Sequence, residues 1–174
     1  MGQLTLILGG AKSGKTAAAL ALCETYPAPR IYLATAESRD DETAERIRRH
    51  QAERGPEWGT IEESRDPGLA ISGLAPDDAS VVLMDCLTMW MGHLMADRGL
   101  DPDAVALRVR SLGEAVLDAA CPVVIVSNEV GHGIVPDNKL ARDFRDAAGM
   151  GHQILAAMAS EVYLVTAGLL QRLK

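Results

Sequence analysis

The chain has 174 residues, with 24 acidic against 17 basic side chains and a formal charge of −7, a length that fits one domain burying about 70% of its unfolded surface. That acidic balance excludes a protein that grips nucleic acid through a basic face. Cys23, Cys86 and Cys121 stand far apart with no C-x-x-C pair, and no apolar run reaches 18 residues, so the expectation is a cytoplasmic protein with no disulfide framework, zinc centre or membrane span.

The first predicted strand, Leu4 to Leu8, runs into Gly9-Gly10-Ala11-Lys12-Ser13-Gly14-Lys15-Thr16, a complete G-x-x-x-x-G-K-[ST] phosphate loop. Gly9 and Gly14 let the backbone turn its N–H groups toward phosphate oxygens, and Lys15 brings a mobile positive charge to the β- and γ-phosphates. Thr16 offers a hydroxyl to Mg²⁺. A helix over 15–26, rich in Ala and Leu, aims its positive dipole end at the same anion. Strand, loop and helix together predict a nucleoside triphosphate site.

A second strand, Arg30 to Ala34, ends at Thr35-Ala36-Glu37. A helix over 41–54 follows, opening on Asp40, Asp41 and Glu42 and carrying Arg46, Arg48, Arg49, His50 and Arg54 toward its end. Arg46, His50 and Arg54 recur every four residues and share one face. Two readings stand. The helix is a solvated one with Glu45 pairing to Arg49, or its stripe meets phosphate, with two guanidiniums keeping His50 neutral and therefore nucleophilic. Trp58 to Glu62 alternates like a short strand, leaving Glu62 either to touch a ribose or a metal or to sit on a plain surface strand. The stretch from Ser64 to Asp78, with its Gly, Pro and Asp, reads as the most flexible internal loop.

The run Val81-Val82-Leu83-Met84 closes on Asp85, the Walker B arrangement of a carboxylate at the tip of a buried strand, placed to bind Mg²⁺. The alternative is that Asp85 caps the helix expected over 87–98. Asp101-Pro102 starts a helix over 102–119, and Pro122 separates it from the strand Val123 to Ser127. Next comes the glycine-rich loop Asn128-Glu129-Val130-Gly131-His132-Gly133-Ile134-Val135-Pro136, of a kind that shapes a second ligand pocket. A helix over 140–159 and a strand Val162 to Thr166 complete the chain. His132 and His152 lack a partner at metal-ligand spacing, and Arg142 and Arg145 either contact phosphate or coat their helix. Apolar strands alternating with helices indicate βαβ units. The fold class expected is α/β, a single P-loop NTPase-like (RecA-like) domain over 1–174, three-layered, with a mostly parallel central sheet whose ligands gather at the carboxyl ends of the strands.

Taken together these blocks resemble the bifunctional adenosylcobinamide kinase / adenosylcobinamide-phosphate guanylyltransferase family over essentially the whole chain. The matching stretches are Gly9 to Thr16, Tyr32 to Ala36, Asp41-Glu42 leading into Arg46-Ile47-x-x-His50, Arg54-x-x-x-Trp58-x-Thr60-x-Glu62, Asp85 to Thr88, Ser127 to Pro136, and Arg142-x-Phe144-Arg145-Asp146-x-x-Gly149. The resemblance implies phosphorylation of adenosylcobinamide by ATP or GTP, then transfer of GMP from GTP to the new phosphate through a GMP-histidine on His50. It further implies nucleotide contacts at Ala34, Thr35, Ala36, Gln51, Ala52, Glu53, Arg54, Glu62 and Asp85, Mg²⁺ with the nucleotide, and a small homo-oligomer, commonly a trimer. The chain departs from the family with His93 and His152 where Asn is common, and with Leu170 where Pro is frequent. A plain small-molecule kinase and a nucleotide-sensing module without turnover are the other readings.

Overall fold

The structure is a computed structural model that describes residues 2–36 and 55–174. Seven strands form one sheet: β1 (Leu4–Gly9), β2 (Arg30–Ala34), β3 (Trp58–Glu62), β4 (Val81–Asp85), β5 (Val123–Asn128), β6 (Glu161–Thr166) and β7 (Leu169–Arg172). Their spatial order is β3-β2-β4-β5-β1-β6-β7, parallel throughout except for the antiparallel β6–β7 pair. The expected parallel α/β sheet is therefore present. Strands β1, β2, β4 and β5 are almost wholly buried because helices cover both faces.

The described helices are α1 (Lys15–Cys23), α2 (Pro67–Ser72), α3 (Leu87–Ala96), α4 (Pro102–Leu117) and α5 (Lys139–Met158). Because side chains alternate along a strand, each strand feeds two cores. Leu4, Leu6 and Leu8 join Val82, Met84 and Ile125 under α2 to α5, around the fully buried Trp90. Ile7, Leu83, Val124 and Val126 face the other way, against Ala19 and Cys23 of α1. These are the three layers expected.

Three local features depart from the sequence expectation. The stretch read as a flexible loop from Ser64 to Asp78 contains α2, started by Pro67 and capped by Asp66, whose carboxylate accepts from the Leu69 N–H at 3.2 Å. Strand β7 lies beyond the last expected strand, turned by Ala167 and Gly168, both at positive φ (52° and 79°), the pair of conformations a two-residue hairpin needs. Helix α1 stops at Cys23 rather than 26. The backbone of Glu24 and Tyr26 instead serves the buried Arg30, whose guanidinium donates to both carbonyls and pairs with Glu57 at 2.7 Å. Asp101 behaves as expected, accepting from the Ala104 N–H at 2.8 Å.

Candidate active site at the carboxyl edge of the sheet

Sheet order sets which residues meet. β1 delivers Gly9 to Thr16, β2 delivers Ala34 to Ala36, β3 ends at Glu62, and β4 ends at Asp85. Ala34 is registered with Glu62 on one side and Asp85 on the other, which puts those two acidic residues about 10 Å apart across the sheet. Glu62 is exposed at the edge strand. The segment 37–54, with Arg46, His50, Gln51, Ala52, Glu53 and Arg54, lies outside the described residues.

The phosphate loop owes its shape to two glycines. Gly14 sits at φ 94°, in the left-handed region, as the residue before α1. A Cβ there would meet Gly168 Cα at 3.3 Å, and one at Gly9 would meet Ser13 Oγ at 2.5 Å. The β6–β7 turn closes on the loop, its Gly168 N–H donating to the Ser13 carbonyl at 2.8 Å. No side chain caps α1, so the N–H groups of its first turn remain available to an anion. Lys15, only 9% exposed, folds its ammonium back onto the Gly10 carbonyl at 3.0 Å.

Across the site, Asp85 does not cap α3. The capping position belongs to Cys86, with no side-chain hydrogen bond. Asp85 Oδ2 instead accepts two hydrogen bonds, from Thr16 Oγ1 and from the Tyr32 hydroxyl, each at 2.9 Å. The pairing of phosphate-loop threonine with Walker B carboxylate is thus formed across 69 residues of sequence. A hydroxyl and a carboxylate are hard oxygen donors of the kind Mg²⁺ takes, with water and phosphate completing its shell.

Thr35 holds the backbone on either side of that carboxylate's attachment. Its hydroxyl, fully buried, accepts from the Cys86 N–H and donates to the Cys86 carbonyl, both at 2.8 Å. The side chain is committed to the β4 end, so Thr35 meets other groups through its backbone. Cys86 Sγ lies 3.2 Å from Thr88 Oγ1, which also receives Asn128 Nδ2 at 3.0 Å. Burial pushes the Cys86 thiol up, and the charge of Asp85 adds to this, keeping it protonated and poorly nucleophilic.

Arg142 donates to the carbonyls of Pro136 and Asp137 at 3.0 and 2.7 Å, holding the end of the glycine-rich loop. His152 lies between Ser127 and Glu129. The roles of Tyr32, Gly168 and the Ser127–His152–Glu129 array escaped sequence reading. Only Gly168 carried a usable signal, as the second residue of an Ala-Gly pair between two strand-like runs.

Comparison with known proteins agrees with this geometry. The family model described as cobinamide kinase / cobinamide phosphate guanyltransferase matches residues 5–173. The bifunctional adenosylcobalamin biosynthesis protein CobU of Salmonella typhimurium is 41% identical over 184 residues, covering 99% of this chain and 100% of that protein. CobU of Escherichia coli is 38% identical with the same coverage. The bifunctional protein CobP of Pseudomonas aeruginosa is 36% identical over 172 residues, covering 97% of this chain and 96% of its own.

Proposed function

Because the chain belongs to the cobinamide kinase / cobinamide phosphate guanyltransferase family of bifunctional enzymes, we propose that it carries out both transfers on adenosylcobinamide, the second through a GMP-histidine on His50. The observation that supports the shared triphosphate site of this reading is the Thr16–Asp85 hydrogen bond at 2.9 Å beside an uncapped helix start. A triphosphate in the loop Gly9 to Thr16 would receive backbone N–H groups and the Lys15 ammonium, groups suited to the charge that develops on transferring phosphoryl oxygens.

Thr16 and Asp85 would hold Mg²⁺, which when bound supplies positive charge to the phosphate oxygens. In the kinase step the acceptor hydroxyl oxygen bonds to the γ-phosphorus, the bridge to the β-phosphate breaks, the diphosphate leaves and the hydroxyl proton is released. In the second reaction an imidazole nitrogen of His50 bonds to the α-phosphorus of GTP and pyrophosphate leaves. An oxygen of the corrinoid phosphate then attacks that phosphorus and breaks the P–N bond, giving adenosylcobinamide-GDP and free histidine. Arg46 and Arg54, spaced four residues either side of His50, would neutralise the triphosphate and keep the imidazole uncharged. Nucleotide contacts at Ala34 to Ala36 would be made by backbone, because the Thr35 hydroxyl is engaged with Cys86. Gln51 to Arg54 and Glu62 complete the proposed nucleotide set.

The test is product analysis with Mg²⁺, GTP and adenosylcobinamide. The reading expects the phosphate to form first and the GDP derivative after it. Accumulation of the phosphate alone would favour a plain kinase, and no corrinoid product at all would favour a nucleotide-sensing module.

A further inference from the structure

β5 is the strand between β1, which carries the phosphate loop, and β4, which carries Asp85. Whatever leaves the carboxyl end of β5 therefore emerges between the two halves of the phosphate site. That segment is the glycine-rich loop beginning at Glu129, and nothing in the nucleotide chemistry above uses it.

Glu129 is tied in three directions. Its N–H donates to the carbonyl of Gly9, the first residue of the phosphate loop, at 2.9 Å. Its Oε1 accepts the Gly131 N–H at 2.6 Å, which holds the first turn of the glycine-rich loop. Its Oε2 lies 3.6 Å from Nδ1 of His152 on α5, an electrostatic contact beyond hydrogen-bond range. His152 is itself 6% exposed, and its Nε2 shares a 2.8 Å hydrogen bond with Ser127, which is fully buried. Glu129 thus joins the phosphate loop through its backbone N–H, and the glycine-rich loop and α5 through its carboxylate. Beyond Gly131 the loop turns outward, with Ile134 96% and Val135 62% exposed.

We propose that Glu129 is a positioning residue for the acceptor: braced by His152, it fixes the Gly131–Pro136 loop relative to the phosphate loop, so that this loop forms the wall against which the acceptor hydroxyl approaches the γ-phosphorus. The inference rests on the kinase reading above. Transfer is sensitive to placement, since a displacement of about 1 Å can cost on the order of 100-fold in rate.

The variants follow from the geometry. Glu129→Gln keeps an oxygen for the Gly131 N–H but sets an amide NH₂ against His152. His152→Asn keeps a donor where Nδ1 stands, facing Glu129, and loses the reach to Ser127. His152→Gln does the reverse. We expect Glu129→Gln and His152→Gln to lower kcat for phosphoryl transfer to adenosylcobinamide about tenfold or more. Both should leave the Kd of a fluorescent GTP analogue within about twofold of wild type, and amide exchange at 131–135 should quicken. His152→Asn should stay near wild type. The double variant Glu129→Gln/His152→Gln should be no worse than the poorer single one, the non-additivity of a single shared contact.

Wild-type enzyme that phosphorylates no corrinoid would remove the kinase reading itself. With wild type active, three results would each overturn the positioning role alone. They are a Glu129→Gln kcat equal to wild type, a matching loss of GTP affinity in all variants, or His152→Asn as damaged as His152→Gln.

Discussion

Thr16 Oγ1 and Asp85 Oδ2 stand 2.9 Å apart, joining the start of α1 to the end of β4. Two of the described strands separate their parent strands in sequence, yet the order β4-β5-β1 leaves only β5 between them. Tyr32 donates to the same carboxylate oxygen, so the carboxylate is held by hydrogen bonds from two elements.

Asp85→Asn should therefore separate folding from activity. Its amide oxygen still accepts from Thr16 and Tyr32, so stability should change by no more than about 1 kcal/mol. The loss of a negative charge from the proposed Mg²⁺ site should lower kcat/KM about 100-fold at fixed Mg²⁺. Urea unfolding and Mg²⁺-titrated kinetics check the two halves.

Thr35→Val tests the staple on the Asp85–Cys86 backbone. The substitution keeps the shape and leaves the buried Cys86 N–H and carbonyl without their 2.8 Å partner, a loss of about 2 kcal/mol. Activity should fall with it, because the Asp85–Cys86 end of β4 is what Thr35 holds. A shift in the urea midpoint at constant slope is the measurement.

Two glycines should respond with opposite sign. Gly14→Ala forces a side chain into φ 94° with Gly168 Cα 3.3 Å from the new carbon, which should cost about 1–2 kcal/mol. Gly149 lies exposed within α5, and nothing stands within 4 Å of a Cβ there. Gly149→Ala should stabilise by about 0.5–1 kcal/mol, since glycine is the poorer helix former. Thermal melts of the two variants give both signs.

Burial pulls the His152 imidazole below its ordinary 6.5, with the charge of Glu129 opposing. The folded state therefore takes up this proton less readily than the unfolded one. Its contribution to stability is full above about pH 6.5 and is lost as pH falls through the folded value. His152→Gln should show a shallower fall in stability between neutral and acid pH than wild type. Urea midpoints across that range measure the difference.

The parts of the fold legible in the sequence are those governed by local chemistry. The phosphate loop announces itself through fixed spacing, β4 through an unbroken apolar run, and α4 through Asp101-Pro102. Helix α2 was hidden because Pro67-Gly68 reads as loop, although Asp66 was there to cap it. β7 was hidden because its four residues are all exposed and carry no alternation of burial. In the site, Asp85 was visible at a strand tip, but whether it caps α3 or meets Thr16 depends on sheet order, which no local pattern encodes. The commitment of Thr35 to Cys86 and of Glu129 to His152 likewise joins residues distant in sequence. The Arg46–His50–Arg54 stripe, read from its four-residue spacing, lies outside the described residues and rests on chemistry alone.

That stripe holds the central claim, and one measurement addresses it. Enzyme incubated with Mg²⁺ and GTP labelled at the α-phosphorus, without corrinoid, should retain label in a bond that is acid-labile and alkali-stable. The label should be absent from His50→Ala and should pass to adenosylcobinamide phosphate when that is added. Failure of the wild-type enzyme to retain α-label, while it still moves the γ-phosphoryl group to adenosylcobinamide, would contradict the account and leave a kinase.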